Sequence, residues 1–166
     1  MAGGDNSEID SIEAVQNSAL CAALIWAFGR GYRHENPAGL PIFQLAFLVL
    51  PMVLHRPTLE QLGSTNQTSG FGKFVDKVSK SQREELLAIH PRVLLMRRLT
   101  LEAISTGIAT GLLSVIYDDG EIRANDVALK QQLTRTKKMM DAAHKLGGWL
   151  ARLPNATAFS LLKVIP

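Results

Sequence analysis

The chain has 166 residues, 46% of them hydrophobic and 20% charged, with a formal net charge of +3. That length sets one domain as the expectation and lets about 70% of the unfolded surface be buried, while the apolar share excludes a disordered protein. The single cysteine, Cys21, excludes an internal disulfide framework and a cysteine zinc cluster, and so small a net charge does not imply nucleic acid by itself.

Residues 1–15 carry Asp5, Glu8, Asp10 and Glu13 and read as a flexible acidic lead-in, unlike a signal peptide. The expectation is a soluble, cytoplasmic protein whose folded domain occupies 16–166. A first helix is predicted from Asn17 or Ser18, both good N-caps. Leu20, Leu24, Ala27, Phe28 and Gly31 share one face, and Cys21, Ile25 and Tyr32 an adjoining one, so this helix is mostly buried. Cys21, inside this run, reads as a buried inert thiol. Arg30 and Arg33 lie near its end, where cations suit the dipole. Residues 34–39 form a turn by composition.

Residues 40–54 are apolar except for Gln44. The run is too short for a membrane span, which needs about 20 residues, and reads as a central core helix that the other helices wrap. Pro41 suits its first turn, and Pro51 should kink or end it near residues 47–50. The short turn before it predicts an antiparallel pair with the first helix.

Pro57 reads as a stop, Thr58 as the cap of a short turn to Leu62, and residues 63–70 as a polar loop. Phe71, Phe74, Val75 and Val78 recur at helical spacing and predict an amphipathic helix over about 69–79. Ser81 and Glu84 have capping-box spacing. The apolar residues Leu86, Leu87, Ile89, Val93, Leu94, Leu95 and Met96 follow, with a break predicted at His90 before Pro91. Thr100 is placed as the cap of the next helix, whose apolar positions are Leu101, Ile104, Ile108, Ala109, Leu112 and Val115. Gly107 and Gly111 each cost a helix about 1 kcal/mol relative to alanine, and read as marks of close approach by another helix.

At Leu113 the period changes from helical to alternating. Residues 113–117 and 121–124 flank Asp118-Asp119-Gly120, a hairpin signal whose central positions favour positive φ. A helix running straight into a hairpin is the element order of a winged helix. Asn125 and Asp126 are expected to cap a last long helix. Its buried side draws on Val127, Leu129, Leu133, Met139, Met140, Ala143, Leu146, Trp149 and Leu150, with Gly147 and Gly148 weakening it. A short helix capped by Asn155 closes the chain. The fold class is mainly α: a single compact helical domain with a winged-helix-like helix plus β-hairpin at about 113–124.

Chemistry is sparse. No phosphate-binding glycine loop occurs, and His34, His55, His90 and His144 lack metal-ligand spacing. Asp118 and Asp119 sit in a turn, and Glu84 and Glu85 at an exposed helix start, poor places for a general acid and base. No catalytic, metal or cofactor-binding residue is assigned, and no small-molecule substrate or membrane is expected. A basic stretch runs from Arg123 through Lys130, Arg135, Lys137, Lys138 and Lys145 to Arg152, against Asp126 and Asp141. The candidate nucleic-acid contacts are Arg92, Arg97, Arg98, Arg123, Lys130, Arg135, Lys137 and Lys138. Duplex binding draws most of its affinity from phosphate neutralisation, yet the helix over 100–113 offers Glu102, Ser105, Thr106 and Thr110 and no cation. Protein contact is therefore the leading reading, and a free-standing winged-helix DNA-binding regulator the alternative.

The run Asn17-Ser-Ala-Leu-Cys-Ala-Ala-Leu-Ile-Trp-Ala-Phe-Gly-Arg-Gly-Tyr32, then Gly39-Leu-Pro and Phe47-Leu-Val-Leu-Pro-Met-Val-Leu-His-Arg-Pro-Thr58, resembles the small middle component of three-component ABC ATPase systems. Leu146-Gly-Gly-Trp-Leu-Ala-Arg-Leu and Ala158-Phe-Ser-Leu-Leu-Lys-Val-Ile-Pro166 are similar to that family's close. The resemblance implies a prokaryotic defence module of the Lamassu kind. In it this subunit would bridge an SMC-like ABC ATPase and an effector, often a nuclease, as winged-helix accessory subunits do in SMC complexes. It implies no active site, and leaves DNA contact possible through the basic helix, on duplex held by the ATPase.

Overall fold

In a computed structural model the described residues are 17–129 and 134–166, and the side chains of Thr134 and Arg135 fall outside the description. The expected lead-in over 1–15, and Lys130, lie outside the described residues. Helix α1 (Ser18–Glu35) starts on Asn17, whose side-chain oxygen accepts from the Leu20 N–H at 3.0 Å. It buries Cys21, Leu24, Ile25, Phe28 and Tyr32. Burial pushes the Cys21 thiol up to about 11, so it stays protonated at neutral pH.

The main partner of α1 is the late helix spanning Thr134–Leu150, and not the stretch 40–54. Glycines allow it. A Cβ on Gly31 would lie 1.9 Å from the His144 carbonyl oxygen, and one on Gly147 would lie 2.0 Å from the Phe28 oxygen. Gly147 is thus a contact point where two backbones meet, and any loss of helix propensity there is offset by packing.

Residues 40–54 are buried, as expected, but they are not one helix. Pro41 is part of an extended approach: its carbonyl accepts from Ile122 N at 3.0 Å, Ile42 bridges Glu121, and Phe43 N donates to Gly120 O at 2.7 Å. A 3-10 turn (Phe43–Leu48) leads into α2 (Val49–Val53), and Leu45, Leu48, Leu50 and Met52 are fully buried. Pro51 falls in the first turn of α2, where its missing N–H would have had no intrahelical partner, so it does not end the helix. Pro57 likewise opens α3 (Arg56–Ser64) instead of stopping the chain, and Thr58 is buried inside α3 and is not its cap.

After a second 3-10 turn (Gln67–Ser69), α4 (Gly70–Ser81) lays Phe71, Phe74, Val75 and Val78 on the core. The capping box does not form, because Ser81 remains in α4 and its hydroxyl donates to Lys77 O at 2.7 Å. Three helices follow, each separated from the next by a single residue: α5 (Arg83–Leu87), α6 (Ile89–Leu95) and α7 (Arg97–Ala109). The break falls at Ala88 and not at His90, which sets Pro91 in the first turn of α6. Thr100 is buried inside α7, where its hydroxyl donates to Met96 O at 3.1 Å, and it caps nothing.

The strands β1 (Leu113–Ile116) and β2 (Glu121–Ala124) pair antiparallel, from Leu113 opposite Ala124 to Ile116 opposite Glu121. Four residues join them and only Gly120 has positive φ, at 64°, so the turn is longer than the predicted tight one. Gly107 packs under the Leu113 side chain of β1 and Gly111, at φ 77°, is where the chain leaves α7; neither marks another helix. Asn125 caps no helix. Its amide donates to Gly111 O at 2.9 Å and its oxygen accepts from Ser114 Oγ at 3.0 Å, tying the hairpin base to the end of α7. Asp126 pairs with Arg30 across to α1. Then come α8 (Thr134–Leu150), with Met140, Ala143, Leu146, Trp149 and Leu150 buried, and α9 (Asn155–Leu161), whose cap is Pro154 and not Asn155. Phe159, Leu162 and Val164 pack back on the core. The result is one mainly helical domain with a small antiparallel hairpin. Among the described residues no helix is long and apolar enough to cross a membrane.

Candidate interaction surface

The basic residues singled out in the sequence are spread over different parts of this fold. Arg92 points inward, with its side chain 15% exposed: Nη1 donates to Pro51 O and Nη2 to Glu85, both at 3.1 Å. It thereby satisfies a carbonyl at the end of the buried stretch. His55 joins the same junction, with Nε2 3.3 Å from Glu85 and Nδ1 3.0 Å from Thr58 Oγ1. A neutral ring protonated on Nε2 meets both contacts at once, donating to the carboxylate and accepting from the hydroxyl.

That neutral form is the favoured one. Burial and the Arg92 charge hold the His55 pKa below 6.5, and the Glu85 carboxylate only partly offsets them. Burial, His34 and Arg30 likewise lower His144, against a smaller opposing pull from Asp141. Both histidines take up protons less readily folded than unfolded, so their contribution to stability is complete above the unfolded value and is lost as pH falls through the folded one. The melting temperature is expected to drop between about pH 7.5 and about pH 5.5, above the usual carboxylate range. His144→Gln should shrink that drop; an unchanged drop would remove His144 from the explanation.

Arg97 and Arg98 are exposed at the start of α7, and Arg98 Nε donates to Glu102 at 2.9 Å. Arg123 projects from β2 into a shallow groove of about 450 Å³, shared with Arg33, Leu40 and Asp126. Lys137 pairs with Asp141 at 2.6 Å. Lys138 borders a second groove, of about 620 Å³, between α3 and α8, beside Glu60, Asp141 and Lys145. Lys130 and the Arg135 side chain lie outside the described residues. The placed cations thus line separate features, and three of them already hold carboxylates.

Sequence reasoning missed what the consecutive helices α5 to α7 leave outside. It counted Leu87, Leu94, Leu95, Leu101 and Ile108 among the apolar positions of these helices; all five are exposed, Leu95 at 83%. The buried positions on the same segment are Leu86, Ile89, Val93, Thr100, Ala103, Ile104 and Gly107. The legible signal was excess: more apolar residues than one core-facing stripe accommodates. Among the described residues no group of three or more His, Cys, Asp or Glu is placed to hold a metal ion.

The framework is a helical domain that carries a helix-to-hairpin unit and leaves several apolar side chains facing outward. The family profile of the ABC-three component (ABC-3C) system Middle Component 3 matches residues 6–166, and the chain belongs to that family. It is one component of a multi-component system and so has partner components. No curated protein and no solved structure shows a significant match to it.

Proposed function

We propose that this chain is a non-catalytic adaptor that bridges an SMC-like ABC ATPase and an effector of nuclease type, in a bacterial complex acting against phages or plasmids. Membership in a middle-component family supports an adaptor role. The structural observation that carries it is the outward face of α7. That face presents Leu101, Glu102, Ser105 and Ile108 where a duplex-reading helix would carry cations, and Arg98 is already held by Glu102. Apolar surface left in water forfeits about 25 cal/mol per Å² until a partner covers it, and a patch of this kind marks protein contact more often than phosphate contact. The helix-then-hairpin order is winged-helix-like, and a helix face without free cations lacks the phosphate neutralisation from which duplex binding draws most of its affinity.

The test is co-purification of the tagged full chain with the ABC ATPase and effector encoded beside it, alongside an electrophoretic shift on duplex DNA. A stoichiometric complex and weak DNA binding are expected. Tight duplex binding that falls steeply with salt, without any co-purifying component, would favour the free-standing regulator instead.

A further inference from the structure

Arg33 and Arg123 line one shallow groove of about 450 Å³, bounded by the 37–40 turn, Asn125 and Asp126. The other polar side chains of that groove are already engaged. The Asn125 amide donates to Gly111 O at 2.9 Å, and its oxygen accepts from Ser114 Oγ at 3.0 Å. Asp126 pairs with Arg30, whose guanidinium also lies 5.8 Å from the centre of the Trp26 ring. Among the described residues, neither Arg33 nor Arg123 holds a carboxylate or donates a side-chain hydrogen bond. The helix dipole accounts for Arg33 alone, which stands in the last turn of α1. It does not account for Arg123, which sits on β2 opposite Ser114 and so has no acid across the ladder. Two like charges that face one groove repel until an anion lies between them.

We infer that this groove is a carboxylate-binding site that takes an acidic side chain from another component of the complex. The inference rests on the adaptor reading above. Two guanidiniums supply planar, forked donors that match a carboxylate, and they stay charged at any physiological pH. Phosphate shares that chemistry, so the surroundings decide between the two. Beyond Arg123 the same hairpin carries Asp118, Asp119 and Glu121, and among the described residues none of the three holds a cation. A duplex carries one charge about every 1.7 Å of its axis, and would bring phosphates against these acids as it ran along the hairpin. A single carboxylate needs only the two arginines. Half-buried Leu40 and exposed Pro37 and Ala38 offer apolar surface beside the charge, which suits a protein segment better than a sugar–phosphate backbone.

The test uses full-length proteins in the reconstituted complex, with an electrophoretic shift on duplex DNA run beside it. A photo-crosslinking residue at the exposed position 38 is expected to capture an Asp- or Glu-bearing segment of another component, while one at the exposed position 73 on α4 does not. The double variant Arg33→Gln with Arg123→Gln should weaken assembly at least tenfold at an unchanged melting temperature, since neither guanidinium holds a carboxylate within the fold. Charge exchange is the stricter arm: Arg33→Glu with Arg123→Glu should abolish assembly, and changing the captured acid to lysine should restore it. If the wild-type chain assembles and the glutamine variant assembles equally well, the groove is not the site and the adaptor reading survives. If that variant loses duplex binding and keeps assembly, the ligand is phosphate and the carboxylate assignment is overturned. If the wild-type chain binds no component, both readings fall.

Discussion

Gly31→Ala is expected to destabilise the fold by about 3 kcal/mol or more, because its methyl group would land on backbone and not on a side chain that can turn away. The nearest atoms to that Cβ are the His144 carbonyl oxygen, carbon and Cα, at 1.9, 2.7 and 2.9 Å. Relief requires α1 and α8 to separate, and these two helices form the most extensive pairing in the fold. Gly147→Ala should act similarly, since its Cβ would meet the Phe28 oxygen at 2.0 Å. The double variant should cost less than the sum, because one separation relieves both clashes. Gly72→Ala is the control. It lies in α4 with nothing within 4 Å of its Cβ, and should stabilise by about 0.5–1 kcal/mol through helix propensity. Urea midpoints at constant m read all four. An unchanged midpoint for Gly31→Ala would mean that the two backbones do not approach as closely as described.

Trp149→Ala should cost about 3–5 kcal/mol, the usual range for emptying a large aromatic site. Trp149 is 1% exposed, and its ring centroid lies 5.8 Å from that of Phe74 and 6.4 Å from that of Phe71, both on α4. Its Nε1 donates to Gln67 O at 2.8 Å in the 3-10 turn before that helix. Lys145, one turn earlier on α8, donates to the carbonyls of Leu62, Gly63 and Thr65 at 2.9, 3.3 and 2.9 Å, closing the C-terminal end of α3. The pair therefore fixes the whole α3-to-α4 connection on α8. Trp149→Phe keeps the aromatic packing but removes the indole N–H that meets Gln67 O, and should cost about 1–3 kcal/mol. Chemical denaturation followed by circular dichroism distinguishes these values. Equal costs for the two variants would show that the ring's packing contributes little.

The sequence made the burial pattern legible and left the local geometry open. The apolar runs of α1 and residues 40–54, the amphipathic α4 and the Asp-Gly hairpin all follow from period and composition. The prolines misled because the same residue that ends a helix is tolerated in its first turn: Pro51, Pro57 and Pro91 all stand there. Thr100, Asn125 and Asn155 look like caps by type, but only the surrounding chain decides whether a hydroxyl or amide meets a helix end, a carbonyl or another side chain. Gly31 and Gly147 carry no local signal of their meeting, since the partner lies far along the chain. At the candidate surface, Arg98 with Glu102 and Lys137 with Asp141 were readable as pairs four positions apart. The bond from Arg92 to the Pro51 carbonyl was not, since it joins segments far apart in sequence. The exposure of Leu87, Leu94, Leu101 and Ile108 was hidden in plain composition, because the chain breaks at Ala88 and Met96, and which apolar residues meet the core depends on how the three short helices are set against it.

The most direct measurement is native mass spectrometry of the ABC ATPase and the effector, mixed with and without this chain. The expected result is a three-protein assembly when the chain is present, and separate ATPase and effector when it is withheld. An ATPase–effector complex that forms to the same extent without it would contradict the bridging role.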